Sequence, residues 1–131
     1  MSKPTIRVVA AVVERDGKYL ITQRRPTAVL PLLWEFPGGK VEQGETDQEA
    51  LRRELRYRLA ADVDVGQLIS YVSHPYEHYT VDLYLYECTL HSEEVRAEGV
   101  HAYKWVASGE FEKYPFTPAD EVSMSKLLGV G

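Results

Sequence analysis

Apolar residues occupy both alternating faces of residues 6–13, IRVVAAVV, a pattern that predicts a strand covered on both sides. Arg15-Asp16-Gly17-Lys18 then reads as a turn, and YLITQR (19–24) as a second strand returning on the first in a hairpin. Residues 25–37 carry Pro26, Pro31, Trp34 and Pro37 ahead of Gly38-Gly39, and read as a long ordered loop. Beyond it the period changes. Leu51, Leu55 and Leu59 recur every fourth residue, the buried stripe of a helix. Thr46-Asp47-Gln48-Glu49 starts that helix as a capping box, with Glu49 three residues past the Thr46 cap.

After Ala60 the pattern returns to strands. VDVGQLISYV (63–72) and YTVDLYLYECTL (79–90) predict two long strands joined through HPYEH (74–78). The polar stretch HSEEVRAEG (91–99) leads to a short strand, AYKWV (102–106). FTPADEVSMSKLL closes the chain as a helix, with Thr117 as its cap and Pro118 at its first position. Strands with two helices make this an α/β fold, a mixed sheet sandwiched between helices. We expect one domain over residues 1–131.

Composition narrows the function classes. The chain has 131 residues, of which 44% are hydrophobic, enough for one ordinary core. A net charge of −5 argues against a broad grip on polymeric nucleic acid or anionic membrane, but leaves small anionic ligands open. The single cysteine, Cys88, rules out an internal disulfide and a cysteine metal cluster. The apolar N-terminal run is short and broken by Glu14, Arg15 and Asp16, so it reads as a strand and not a signal peptide. The cytoplasm is the expected compartment, and a monomer or homodimer the expected state.

The stretch EFPGGKVEQGETDQEALRRELRYRLAAD, residues 35–62, resembles the Nudix box, the strand–loop–helix signature of hydrolases that cut nucleoside diphosphates linked to another moiety. Gly39, Glu45, Arg53, Glu54 and Leu55 match that pattern in register. Tyr57, Arg58 and Ala60 stand where the family has Glu, Glu and Gly. WEFPGGKVE, the order of strands and the late TPAD are similar to the MutT-like branch, which acts on nucleoside triphosphates. The resemblance implies a Nudix fold and hydrolysis of a (d)NTP, such as 8-oxo-dGTP, to the monophosphate and pyrophosphate. It also implies Mg2+ or Mn2+ as cofactor.

The departures bear directly on that chemistry. Cleaving a pyrophosphate builds negative charge on the leaving group, which hard divalent cations neutralise well. Mg2+ takes a few carboxylates, water and substrate oxygens, and a helix offers carboxylates on one face at i, i+3 and i+4. Positions 54, 57 and 58 have that spacing but read Glu, Tyr, Arg. Three negative charges give way to none net. Arg58 is placed to pair with Glu54 across one turn, and like charges at contact range cost several kcal/mol at an effective dielectric of about 20, so it repels a cation.

Other roles follow from the resemblance, each beside a plainer one. Glu45 and Arg53 match a pair that braces the helix against the loop. Glu54 matches a metal ligand, and is equally explained as a helical Glu paired with Arg58. Gly38 and Gly39 would let backbone groups approach phosphate or metal, or merely form a tight turn. Phe36 and Lys40 flank that loop as substrate contacts. Arg24 sits where the branch has an arginine reaching the nucleotide, and is otherwise a strand-end cation. Glu98 aligns with a late-loop glutamate that joins the metal or acts as base, yet an acid beside Glu93 and Glu94 needs no role. Asp120 falls where the branch reads the base edge, but an acid in a first helical turn is favoured anyway. His74, Glu77 and His78 imitate a metal site weakly, and Trp34, Tyr84 and Tyr86 read as packing. Two functions survive: a metal-impaired hydrolase, and an inactive nucleotide-binding module in which Arg58 is a fixed cation for phosphate.

Overall fold

The computed structural model describes residues 3–127. Strand β1 (Thr5–Val12) lies at the centre of a mixed sheet. On one side it pairs antiparallel with β5 (Gly38–Lys40), and on the other parallel with β7 (Thr80–Leu90), Ile6 opposite Val81. A parallel neighbour needs a crossover, supplied here by α1 (Asp47–Leu59) and the edge strand β6 (Val63–Pro75). Val9, Ala11 and Val13 face the Leu51, Leu55, Leu59 stripe, while Ala10 and Val12 join Phe36, Leu83, Leu85 and Phe116 in a second core. That division is what a two-faced apolar strand predicts. The leucine stripe is fully buried, and truncating one such leucine costs on the order of 2–5 kcal/mol. It fixes which flank of α1 turns toward β5.

A second sheet pairs β2 (Glu14–Arg15), β3 (Lys18–Gln23), β4 (Trp34–Glu35) and β8 (Ala102–Ala107). The expected 6–13/19–24 hairpin is therefore corrected. The turn at Asp16-Gly17 joins β3 to the two-residue β2, and β1 belongs to the other sheet. Residues 25–37, expected as a long ordered loop, contain β4, because Gln23 and Trp34 fall opposite each other. His74 and Pro75 extend β6, which shortens the connection to β7. A 3-10 helix over Ser108–Lys113 was not anticipated.

The first helix begins as expected. Thr46 accepts from the Glu49 N–H at 3.1 Å, and Glu49 accepts from the Thr46 N–H at 2.9 Å. It ends at Ala60, held left-handed at φ 52°. The second helix, α2, spans Pro118–Leu127, and the expected Leu128 lies outside the described residues. Thr117 immediately precedes it, its carbonyl accepting from the Glu121 N–H at 2.9 Å and its hydroxyl donating to Asp120 at 2.7 Å. Among the described residues no helix is long and apolar enough to cross a membrane.

Candidate functional site

Gly38-Gly39 brings β1, β5 and α1 together. A Cβ on Gly38 would sit 2.0 Å from the Val9 carbonyl oxygen, so only glycine lets β5 lie against β1 there. A Cβ on Gly39 would sit 2.4 Å from the carboxyl carbon of Glu54. The glycine pair thus packs a strand on one side and seats a carboxylate on the other.

Each oxygen of that carboxylate accepts from an arginine. Arg53 donates to Oε1 of Glu54 at 2.8 Å, and Arg58 to Oε2 at 2.6 Å. Arg53 also grips Glu45 with two bonds of 2.7 and 2.8 Å and reaches the Lys40 carbonyl at 2.9 Å. This is the expected brace between helix and loop. Its fork geometry is the strong form of an ion pair, and it holds the Glu45 carboxyl down at a pKa of about 2.

A cleft of about 350 Å3 opens beside this chain of charges. Arg24, Phe36, Gly38, Gly39, Lys40, Arg58 and Asp120 all line it, so the residues expected to meet substrate converge on one cavity. Val8, Tyr79 and Val81 add apolar wall, giving the mix of apolar lining and few polar groups typical of small-molecule sites. Phe36 presents little ring to the opening, being buried against Phe111 and Phe116. Glu98 is absent from the lining. Its carboxylate is half exposed and 3.9 Å from Arg96. The segment carrying it is nonetheless tied to the helix, since the N–H groups of Glu98 and Gly99 donate to the Arg58 carbonyl at 3.0 and 2.9 Å.

At the cleft wall lies a residue the sequence reading missed. Glu35, on β4 between buried Trp34 and Phe36, meets Nη1 of Arg24 with its two oxygens at 3.2 and 3.3 Å. An acid flanked by two aromatics just before the glycine pair was the available signal. Asp120 is buried and accepts from the Phe36 N–H at 3.0 Å and the Thr117 hydroxyl at 2.7 Å. Burial, then the nearby Glu35 charge, push its pKa up to about 7. Glu35 is raised as well, by burial, against the opposing pull of Arg24 and Arg58.

The packing assignments hold for the aromatics. Trp34 stands edge-on to Tyr114, Tyr84 lies under Arg7, and Tyr86 donates to Asp47 at 2.5 Å. His74 meets Tyr76 edge-on, while Glu77 and His78 are exposed. Among the described residues no three of His, Cys, Asp and Glu are grouped to hold a metal ion.

Comparison with known proteins gives a consistent match. A NUDIX domain model matches residues 8–126. The chain is 36% identical over 115 residues to a CTP pyrophosphohydrolase of Escherichia coli, covering 88% of this chain and 85% of the relative. It is 35% identical over 88 residues to an 8-oxo-dGTP diphosphatase of Proteus vulgaris, covering 65% of this chain and 79% of that one. Among solved structures, the E. coli ORF135 protein superposes with a TM-score of 0.84 at 33% identity, over 98% of this chain and 91% of the other.

Proposed function

The chain belongs to the NUDIX domain family, in its MutT-like branch, and we propose that its cleft binds a nucleotide while its metal-dependent hydrolysis is impaired. The observation that carries this reading is the double capture of Glu54 by Arg53 and Arg58. Both oxygens are committed to cations, and the neighbouring helical positions are Tyr57 and Arg58 instead of acids. The donor set here does not fit Mg2+ or Mn2+, which need several free oxygens. A metal at either oxygen of Glu54 would compete with a charge-assisted bond already made there, and Arg58 would repel the incoming cation.

In the metal's place Arg58 is the fixed cation for phosphate, its planar fork suited to that group. Arg24 and Lys40 supply further positive charge at the cleft, while Glu35 and Asp120 face the base edge. A cytoplasmic nucleotide pool goes with such a ligand. CTP and 8-oxo-dGTP, named by the relatives' activities, head the screen. In EDTA, at about 100 times its dissociation constant, a bound nucleotide adds roughly 2–3 kcal/mol and raises Tm. A flat response to every (d)NTP would overturn the reading. The same samples, assayed for pyrophosphate with and without Mg2+, should stay near background in both.

A further inference from the structure

A smaller basin adjoins the cleft, and its chemistry differs from the cleft's. Arg24, Arg25, Ala28, Tyr57, Arg58 and Gly99 enclose about 190 Å3, and Arg24 and Arg58 also line the larger cavity, so the two share a wall. Three arginines and no acidic residue line this concavity in a chain of net charge −5. Crowded like charges need offsetting. Glu35 offsets Arg24, and Glu54 offsets Arg58, both from outside the basin. Arg25 has no such partner among the described residues: its Nη2 donates to a neutral group, the Glu98 carbonyl, at 2.6 Å.

The floor of the basin is closely packed. A Cβ on Gly99 would lie 2.9 Å from the Arg58 Cα and 3.0 Å from Tyr57 Cε2, so the 96–99 segment rests directly on the end of α1. The same segment bonds to Arg25 on one side and to the Arg58 backbone on the other. Tyr57, 60% exposed, stands at the rim with an apolar ring and a hydroxyl donor. Pre-placed donors bind an anion without the cost of ordering them.

We propose that this basin is a metal-independent subsite for the outer phosphates of a nucleotide whose base occupies the larger cleft. Arg25 and Arg58 are its cations and Tyr57 its rim donor. The proposal rests on the nucleotide reading of the cleft. It adds that the phosphate tail is recognised by arginines in and beside the last turn of the box helix, so affinity grows with phosphate number in the absence of metal.

The test is titration calorimetry in EDTA with CTP against CMP, and 8-oxo-dGTP against 8-oxo-dGMP. For the base that binds, the native protein should prefer triphosphate to monophosphate by at least about tenfold, the worth of one or two charge-assisted bonds. Arg25→Gln should bring that ratio below about threefold while leaving monophosphate affinity unchanged, because only the outer phosphates reach Arg25. Arg25→Lys, which keeps the charge and loses the fork, should give an intermediate ratio and serves as the reading variant if the glutamine form folds poorly. Equal affinity for mono- and triphosphate in the native protein overturns the subsite while sparing the cleft. So does an unchanged ratio in both Arg25 variants. Binding of no nucleotide at all overturns both.

Discussion

Arg58 places its Nε 2.6 Å from Oε2 of Glu54, one helical turn away, with the two side chains only 24% and 9% exposed. A glutamate in that setting is a packing element as much as a charge. Its carboxylate fills the space over Gly39 that a Cβ would take. Gly39→Ala should therefore cost about 1–3 kcal/mol by overpacking. The same change in a Glu54→Ala background should cost at least about 1 kcal/mol less, the coupling expected of groups in contact. Urea unfolding of the four proteins closes the cycle, and simple additivity would show that the carboxylate does not hold this place.

The pH dependence of stability should report on Asp120. Its folded pKa lies near 7, above the usual carboxylate value of 3.8. A group raised in the fold stabilises fully below its unfolded pKa, and that contribution is lost as pH rises through the folded value. Tm should fall between about pH 4 and 7 on this account, and Asp120→Asn should flatten that segment. Glu45 works the other way, its contribution present above the ordinary carboxylate pKa and lost as pH drops toward 2. A Tm profile identical in the Asp120→Asn protein would place the titration elsewhere.

Ala60 occupies the left-handed position that ends α1, φ 52° and ψ 37°, where the family pattern has glycine. A Cβ in that region costs roughly 1–2 kcal/mol, of which glycine returns part through its freer unfolded chain. Ala60→Gly should stabilise the protein by about 0.5–1 kcal/mol, read from denaturant midpoints. It should do nothing for catalysis.

Much of this was legible along the chain, and the gaps have physical causes. The capping box, the leucine stripe and the Arg58–Glu54 turn are local, spaced by the helix itself, and the sequence states them. So does the doubly covered β1. The partnership of β1 with β7 is not local, and a turn signal at Asp16-Gly17 naturally suggested a hairpin with β1 instead of with Glu14–Arg15. Glu35 escaped for the same reason. Its meaning comes from Arg24, 11 residues back, and from Asp120 across the cleft. The basin at Arg25 needed the fold too, because the 96–99 segment that completes it arrives from beyond two long strands.

We propose that an Arg58–Glu54 lock stands on the box helix in place of a metal site. Its most direct test is pyrophosphate release from CTP and 8-oxo-dGTP by the Tyr57→Glu, Arg58→Glu protein, beside the native one, in Mg2+. The double change rebuilds three carboxylates at i, i+3 and i+4, frees Oε2 of Glu54 and leaves the leucine stripe alone. Native turnover should sit near background, and the variant should exceed it by at least about tenfold, a small fraction of what a bound metal supplies. Glu54→Gln in that variant should remove the gain. Brisk Mg2+-dependent release by the native protein would contradict the account, as would a variant that folds and binds nucleotide but stays inert.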